Sequence, residues 1–246
     1  MRRQVAGQLV RLNREFYQRF AAEFAESRTR LQPGIRRALA AVLDCRSILD
    51  AGCGDGRVAQ ALAGQGWAGA YVGVDASEAM LTRARARALG PAPAVFAQAD
   101  LADREWLACL PRPEFDAVLM FAVLHHVPGA RRRARLVRQL AGLLRPGGRA
   151  AISTWQFLDN ERLARKIVPW SRIGLDETDV GPDDYLLDWK RGGEGLRYAC
   201  AVGEAEVRRL AQAAGLVVEG AYRSDGRSGE LSLYLSARRP PRQPGS

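Results

Sequence analysis

The sequence DAGCGDG occupies residues 50–56 and continues a short apolar run that begins at residue 47. Its three glycines let the backbone turn sharply and lie close to a ligand, because no Cβ stands in the way. Residues 57–63 then return to a helical pattern. The free N–H groups at the start of such a helix point toward the turn. The stretch therefore predicts a strand, a glycine-rich turn and a helix that together bind a ligand.

Strands and helices continue to alternate on both sides of this turn. We predict six further strands, at residues 70–74, 94–99, 115–121, 149–154, 216–222 and 230–237. We predict five further helices besides that at residues 57–63, at residues 5–25, 33–43, 77–89, 131–144 and 204–214. Only a turn separates the last two strands, so these should be antiparallel. The pattern predicts an α/β fold with a doubly wound, mostly parallel sheet.

The length of 246 residues and the absence of a linker favour a single domain over residues 1–237, with N-terminal helices in residues 1–44. Residues 155–201 are rich in Gly and Pro, and we interpret them as an irregular insertion that forms a lid. Residues 238–246 are rich in Pro and Arg, so we expect a disordered tail there.

The composition indicates which cellular compartment and which partners to expect. The formal net charge of +10 could attract nucleic acid, or it could reflect a general preference for Arg, since only Lys166 and Lys190 are lysines. The four cysteines are scattered, which predicts neither a metal site nor a disulfide framework and fits a reducing cytoplasm. No apolar run approaches 18 residues and no signal peptide is evident, so we expect no membrane association.

Two carboxylates sharpen the meaning of the glycine turn. Asp75 ends the second strand about 20 residues after the turn, where an acid can hold both ribose hydroxyls. Asp100 ends the third strand, where it can accept a hydrogen bond from an adenine amine. A dinucleotide is less suitable, because Arg57 stands where the last glycine of GxGxxG belongs and Asp50 would repel a pyrophosphate. Asp50 suits an ammonium group instead. The cofactor is thus an adenosine with a cationic end, as in S-adenosylmethionine.

The ordered motifs resemble those of the class I S-adenosylmethionine-dependent methyltransferases. They are LDAGCGDG at residues 49–56, VGVDAS at 72–77, ADL at 99–101, FDAV at 115–118 and LLRPGG at 143–148. The resemblance implies a seven-stranded sheet with an antiparallel last strand and S-adenosylmethionine as cofactor. The cofactor-binding residues that it implies are Asp50, Gly52, Cys53, Gly54, Asp75, Ala76, Asp100, Leu101 and Phe121. Tyr17 either closes over the cofactor or belongs to an ordinary helix surface.

Shorter motifs are similar to those of the tRNA wobble-uridine carboxymethyl methyltransferases. They are NREFY at residues 13–17, SRTR at 27–30, VLHH at 123–126, VPW at 168–170 and RY at 197–198. The resemblance implies methylation of the carboxylate of 5-carboxymethyluridine in tRNA. Some RNA-modifying relatives require a small activator subunit, and the sequence leaves the need for one open.

The expected chemistry needs few side chains. A carboxylate is already an anion, so it requires no general base, and a cation must hold it. Arg30 and Arg197 are the candidates by their place in the resembling segments. His125 or His126 could be a base if the acceptor were a hydroxyl or an amine, or both could have packing and capping roles.

Two other functions stay open at this stage. The first is an O- or N-methyltransferase that acts on a small molecule, with the insertion closing over a pocket. The second is a non-catalytic binding subunit that keeps the fold, against which the intact glycine turn with Asp75 and Asp100 argues. The arginines of residues 131–135 are either a phosphate-contact patch for RNA or a solvated helix face.

Overall fold

The computed structural model describes residues 1–26, 30–87 and 93–242. The α-helices in these ranges are α1 (Arg3–Arg19), α2 (Ala21–Glu26), α3 (Pro33–Ala40), α4 (Arg57–Ala63), α5 (Glu78–Arg85), α6 (Ala130–Gly142), α7 (Glu161–Ala164) and α8 (Glu204–Ala213). The β-strands are β1 (Ser47–Ala51), β2 (Ala70–Asp75), β3 (Ala94–Gln98), β4 (Phe115–Phe121), β5 (Leu144–Trp155), β6 (Ile167–Val168), β7 (Asp184–Trp189), β8 (Gly195–Cys200), β9 (Val217–Ser224) and β10 (Ser232–Arg238). No described helix is long and apolar enough to cross a bilayer.

The main sheet has seven strands in the order β3-β2-β1-β4-β5-β10-β9. The pairs from β3 to β5 are parallel, whereas β10 runs antiparallel to both β5 and β9. This arrangement confirms the predicted α/β sheet with an antiparallel last strand. The chain order reverses at β1, so the carboxyl ends of β1 and β4 flank a crevice where ligands bind in such sheets.

Alternating side chains build one core on each face of the sheet. Leu49 and Val118 pack with apolar residues of α6 and α8 on one face. Ile48 and Leu119 pack with residues of α3 and α4 on the other face. All five residues of β1 are buried, because helices cover both faces of the central strands. The strand that carries the glycine turn therefore lies at the centre of the domain.

The sequence analysis predicted an irregular insertion at residues 155–201, but the structure has regular strands there. The insertion contains a three-stranded antiparallel sheet in the order β6-β7-β8. β7 and β8 form a hairpin whose turn includes Gly192 and Gly193, both at positive φ. Charged residues such as Asp184 and Asp188 interrupt the apolar pattern of β7, so the sequence pattern did not predict the hairpin. The prediction that the insertion acts as a lid stays a prediction.

Two element boundaries also differ from the sequence expectation. The helix predicted over residues 5–25 is broken at Phe20, which caps α1 before α2 begins. The predicted disordered tail starts too early, since Arg238 ends β10 and Arg239 exchanges backbone hydrogen bonds with Gly147 and Gly148. Residues 88–89 of the helix predicted over residues 77–89 and residues 243–246 of the tail lie outside the described ranges.

A polar cluster joins α3 to the C-terminal hairpin of β9 and β10. The Asp225 carboxylate accepts from the Gly34 N–H at 2.9 Å and from the Tyr234 hydroxyl at 2.7 Å. The Tyr222 hydroxyl donates to the Gly34 carbonyl at 2.8 Å. A Cβ on Gly34 would lie 2.2 Å from the Tyr234 ring, so only glycine allows this close approach.

We expect Gly34→Ala to lower the free energy of unfolding by about 1–3 kcal/mol, because the added methyl must displace the Tyr234 ring. Urea unfolding of the purified protein measures the change. Gly142→Ala is the matched control, since a Cβ at Gly142 meets no atom within 4 Å and should change stability by less than about 1 kcal/mol. Equal urea midpoints for Gly34→Ala and the parent protein would contradict the packing argument.

Candidate active site

The glycine turn leaves β1 in a conformation that only glycine adopts at low cost. Gly52, Gly54 and Gly56 have φ angles of 87°, 54° and 76°. The N–H groups of Gly52 and Cys53 both donate to the Val74 carbonyl at the end of β2, at 2.7 and 3.0 Å. A Cβ on Gly54 would meet nothing within 4 Å, so this part of the turn faces open space.

Asp75 is the last residue of β2, and Asp100 follows shortly after the end of β3. Asp75 accepts from the Gly54 N–H and from the Ser77 N–H, each at 2.9 Å. Asp100 accepts from the Ala102 N–H at 2.8 Å. A carboxylate offers about four acceptor positions, so both groups keep capacity for ligand hydroxyls or amines. Each carboxylate is thus held by backbone groups and still able to bind a ligand.

A single cavity of about 710 Å³ brings the predicted residues together. Thirteen of the fourteen predicted site residues line it, namely Tyr17, Asp50, Gly52, Cys53, Gly54, Asp75, Ala76, Asp100, Leu101, Phe121, His125, His126 and Arg197. Arg30 is the exception, because it is exposed and does not line the cavity. Residues 27–29 of the SRTR motif lie outside the described ranges.

Hydrogen bonds determine the tautomers of the two histidines. His125 is buried, and its Nδ1 accepts from the Trp155 N–H at 3.2 Å. His126 Nδ1 lies 3.0 Å from the Tyr198 carbonyl, which can only accept, so this nitrogen carries a proton. In the neutral ring, His126 Nε2 therefore accepts from the Tyr17 hydroxyl at 2.7 Å. Both rings are anchored by the fold while they face the cavity.

Arg197 extends from β8 into the cavity and is only 5% exposed. Its guanidinium carbon lies 4.8 Å from the Trp155 ring, 5.4 Å from the Phe16 ring and 5.6 Å from the Trp189 ring. These three rings form an aromatic cage. Among the described residues, no carboxylate forms an ion pair with Arg197, and its Nε has no hydrogen-bond partner. A buried cation without a counter-ion is costly, so the site favours an anionic ligand.

Besides Arg57, which pairs with Asp55, four more cations line the cavity, and the sequence analysis did not predict them as site residues. We call Arg14, Arg162, Lys166 and Arg191 the rim cations. Within the part of the chain that the structure describes, none of them forms an ion pair with an acid. The sequence could not single them out, because it does not show which of the many basic residues form ion pairs in the fold. The cavity thus has acids around its glycine turn, whereas most of its unpaired cations come from the insertion and one comes from α1.

Comparison with known proteins identifies the family. A family model described as a methyltransferase domain matches residues 48–148, which include the glycine turn with Asp50, Asp75 and Asp100. A putative methyltransferase of Encephalitozoon cuniculi is 30% identical over 184 residues, which are 74% of this chain and 76% of that relative. The chain belongs to the class I S-adenosylmethionine-dependent methyltransferases.

Other relatives differ in the acceptors that their names state. A ubiquinone biosynthesis O-methyltransferase of Alkalilimnicola ehrlichii is 39% identical over 116 residues, 46% of this chain and 42% of that enzyme. A probable tRNA methyltransferase 9B of Mus musculus is 36% identical over 61 residues, 24% of this chain and 14% of that protein. This methyltransferase spans about half the length of several curated relatives, 42% and 52% in two of them.

A solved structure confirms the fold of the methyltransferase. The S-adenosylmethionine-dependent methyltransferase of Methanosarcina mazei superposes with a TM-score of 0.65 at 21% identity. The superposition covers 86% of this chain and 99% of that chain. At this identity the match speaks for the fold alone, and the acceptor has to be argued from the side chains in the cavity.

Burial shapes the ionisation of the acids in the methyltransferase. Burial, with a smaller contribution from the nearby Asp75, raises the pKa of Asp50 to about 7, against the lowering effects of Arg57 and of the Tyr71 hydroxyl, which donates to it at 2.5 Å. Burial also raises the pKa of Asp75, against the lowering effect of the Ser77 and Gly54 N–H groups. The cavity therefore holds two acids that are costly to ionise without a cation.

We expect Asp50 to make the ligand-free protein less stable as pH rises. Its pKa is about 7 in the folded state and close to 3.8 when unfolded, so the folded state binds more protons between these values. The stabilising contribution of protonated Asp50 is complete below pH 4 and is lost as pH rises through about 7. Over this whole pH range, the free energy of unfolding falls by on the order of 4 kcal/mol.

Urea unfolding at pH 5 and pH 8 tests this expectation, and Asp50→Asn should lose less stability between the two values than the parent protein. Asp116→Asn is the control. Partial burial raises the pKa of Asp116, but the Ser47 hydroxyl and Arg145 hold it below its ordinary value, so Asp116 does not titrate in this range. If Asp50→Asn and Asp116→Asn show the same pH dependence, the assignment to Asp50 is wrong.

Proposed function

We propose that the methyltransferase transfers a methyl group from S-adenosylmethionine to a carboxylate oxygen, and that its acceptor is 5-carboxymethyluridine at the wobble position of tRNA. The observation that carries this proposal is the buried Arg197, which lines the cavity without an acidic partner among the described residues. A guanidinium offers two parallel N–H donors that match the two oxygens of a carboxylate.

The residues around the glycine turn fit the cofactor. The open space in front of Gly54 would be filled by any side chain at that position, which agrees with a ligand that lies against the backbone. In the proposed arrangement Asp50, Gly52 and Cys53 face the methionine part and Asp75 accepts from the ribose hydroxyls. Asp100, beside Leu101, accepts from the adenine amine. Ala76, Phe121 and Tyr17 enclose the remaining surface, since they line the same cavity.

Charge complementarity supports this orientation. Asp50 and Asp75 are buried acids whose pKa values are raised, so a cationic ligand stabilises their ionised forms. S-Adenosylmethionine carries an ammonium group and supplies an electrophilic methyl group on its sulfonium. The acids around the turn thus select the cofactor by its charge as well as by its shape.

The acceptor chemistry follows from the environment of Arg197. A carboxylate that is bound to Arg197 is already ionised, so one of its lone pairs can form the new C–O bond while the C–S bond breaks. The electron pair of that bond goes to sulfur, which yields a methyl ester and a neutral thioether, and no proton moves. The protein contributes orientation and the exclusion of water by Trp155, Phe16 and Trp189.

The rim cations support a nucleic-acid acceptor. A nucleotide brings phosphates as well as the carboxylate, and unpaired arginines and lysines at the cavity bind phosphates through electrostatic attraction. The motif resemblance and the similarity to the probable tRNA methyltransferase 9B point to the same acceptor. Affinity for such an acceptor should fall steeply with salt concentration.

Asp75→Ala tests the cofactor half of the proposal. We expect it to weaken binding of S-adenosylhomocysteine by about 100-fold or more, because two charge-assisted hydrogen bonds to the ribose are lost. Isothermal titration calorimetry gives the dissociation constant. Asp103→Ala is the control, since Asp103 is an exposed loop acid that does not line the cavity. Unchanged binding in Asp75→Ala would argue against this placement of the ribose.

Arg197→Ala tests the acceptor half. The substrate is bulk tRNA whose wobble esters have been hydrolysed, and the donor carries tritium in its methyl group. We expect kcat/KM to fall by about 100-fold or more in Arg197→Ala and by less in Arg197→Lys, which keeps the charge but not the paired donors. Arg30→Ala is the matched control and should differ from the parent by less than about twofold, since Arg30 is outside the cavity.

The product distinguishes the outcomes of this assay. A methyl ester releases tritiated methanol in mild base, whereas a methyl ether or a methylated amine does not. If hydrolysed tRNA takes up no label while S-adenosylhomocysteine still binds, the tRNA proposal is wrong. If label is incorporated equally by Arg197→Ala and the parent, the role of Arg197 is wrong.

A second candidate is O-methylation of a small molecule. The similarity to ubiquinone biosynthesis O-methyltransferases favours it, and so does His126, whose Nε2 is an acceptor in the neutral ring. A hydroxyl acceptor would transfer its proton to this nitrogen in place of the Tyr17 hydroxyl. Base-stable label in 3,4-dihydroxybenzoate, lost in His126→Ala, would establish this activity instead.

A further inference from the structure

We propose that Asn13 is a positioning residue for the acceptor, because its side chain holds β8 in the register that directs Arg197 into the cavity. This inference rests on the proposed function, in which Arg197 binds the acceptor carboxylate. The N-terminal helix α1 would then contribute to substrate recognition through Asn13, in addition to the proposed contact of Tyr17 with the cofactor.

The amide of Asn13 replaces a missing strand neighbour of β8. β8 is the outer strand of the small sheet, so the outward N–H and C=O of its Tyr198 have no strand partner there. Asn13 Oδ1 accepts from the Tyr198 N–H at 2.8 Å, and Asn13 Nδ2 donates to the Tyr198 carbonyl at 3.1 Å. Asn13 is only 6% exposed, so water does not compete for these bonds.

The register of β8 decides which way Arg197 points. Successive side chains of a strand point to opposite faces, and a slip of one residue reverses every side chain. Tyr198 is fully buried and its hydroxyl donates to Asp184, while its neighbour Arg197 lines the cavity. By holding both backbone groups of Tyr198, Asn13 keeps Arg197 on the cavity side.

The same helix also supplies one wall of the aromatic cage. Phe16 follows Asn13 by three residues, so both lie on the same face of α1. Phe16 lies against the Arg197 guanidinium, and a Cβ on Gly195 would lie only 2.4 Å from the Phe20 ring. α1 is therefore packed closely along β8, and Asn13 is the polar contact in that otherwise aromatic interface.

Asn13 also connects β8 to the histidine loop after β4. Its Nδ2 donates to the His126 carbonyl at 3.2 Å, and the Tyr198 carbonyl accepts from His126 Nδ1 at 3.0 Å. One side chain thereby joins α1, β8 and the loop that carries His125 and His126. None of these contacts involves the glycine turn, Asp75 or Asp100, so loss of Asn13 should affect the acceptor more than the cofactor.

Asn13→Asp is the sharpest variant, because it has nearly the same shape but places an acceptor oxygen against two carbonyl oxygens. We expect KM for hydrolysed tRNA to rise by about tenfold or more, while the dissociation constant of S-adenosylhomocysteine changes by less than about threefold. Gln8→Ala is the matched control. Gln8 lies on the same helix and donates to the Ile173 carbonyl of the insertion at 2.8 Å, but it does not line the cavity.

Binding gives a readout that does not depend on turnover. 5-Carboxymethyluridine is titrated into the protein that is saturated with S-adenosylhomocysteine, and calorimetry measures its affinity. Asn13→Asp should weaken this binding by about tenfold, and Gln8→Ala should leave it within about twofold. If Gln8→Ala and Asn13→Asp lower the urea midpoint alike and weaken nucleoside binding alike, Asn13 has a structural role only and the inference is overturned.

A double variant separates this inference from the proposed function. If Asn13 acts through Arg197, then adding Asn13→Asp to Arg197→Ala should change KM by less than about twofold. Full additivity of the two effects, with Arg197→Ala strongly impaired, overturns the role of Asn13 and leaves the proposed function intact. If Arg197→Ala alone binds and methylates the acceptor normally, the proposed function itself fails.

Discussion

The hydrogen bond from the Gly54 N–H to the Asp75 carboxylate is the contact on which the rest of the site depends. It joins the turn after β1 to the end of β2, and it requires the left-handed backbone that Gly52 and Gly54 provide. The neighbouring strand contributes as well, since the Val74 carbonyl accepts from both Gly52 and Cys53. A side chain on Gly52 would collide with Val123, so the turn also sets the distance to the loop after β4. The parallel sheet thus brings these three segments to one crevice.

The part of the cavity around Arg197, which we propose binds the acceptor, does not depend on the order of the strands. Its residues come from α1, the end of β5 and the small sheet, and no single sequence motif contains them. Here a cation is buried against rings instead of being paired with an acid. Cation–π contacts with Trp155, Phe16 and Trp189 compensate part of the cost of desolvating Arg197, but they leave its capacity for hydrogen bonds unused at Nε. The rings supply no counter-charge, so an anionic ligand in the cavity would stabilise the Arg197 guanidinium further.

The sequence was sufficient to predict that the proposed cofactor residues lie together, because their positions follow from the order of the strands. Asp75 and Asp100 end neighbouring parallel strands, so their convergence with Gly54 follows from topology. The acceptor side could not be derived in the same way. Arg30 and Arg197 are equally basic in the sequence, and only the fold buries one and exposes the other. The hairpin of β7 and β8 escaped recognition because Asp184 pairs with the Tyr198 hydroxyl inside the fold, which makes a core position look polar.

In the proposed reaction Arg197 would bind the carboxylate but could not stabilise the neutral product. Attack by a carboxylate on a sulfonium removes both charges, so a cation beside the carboxylate stabilises the reactants more than the transition state. The gain must therefore come from orientation and from the removal of water, which otherwise solvates the attacking oxygens. The aromatic cage would serve both purposes, because its rings pack against the guanidinium and exclude water from it. A rigid and dry cation can hold one carboxylate oxygen while the other faces the methyl group, which a flexible surface lysine would not do.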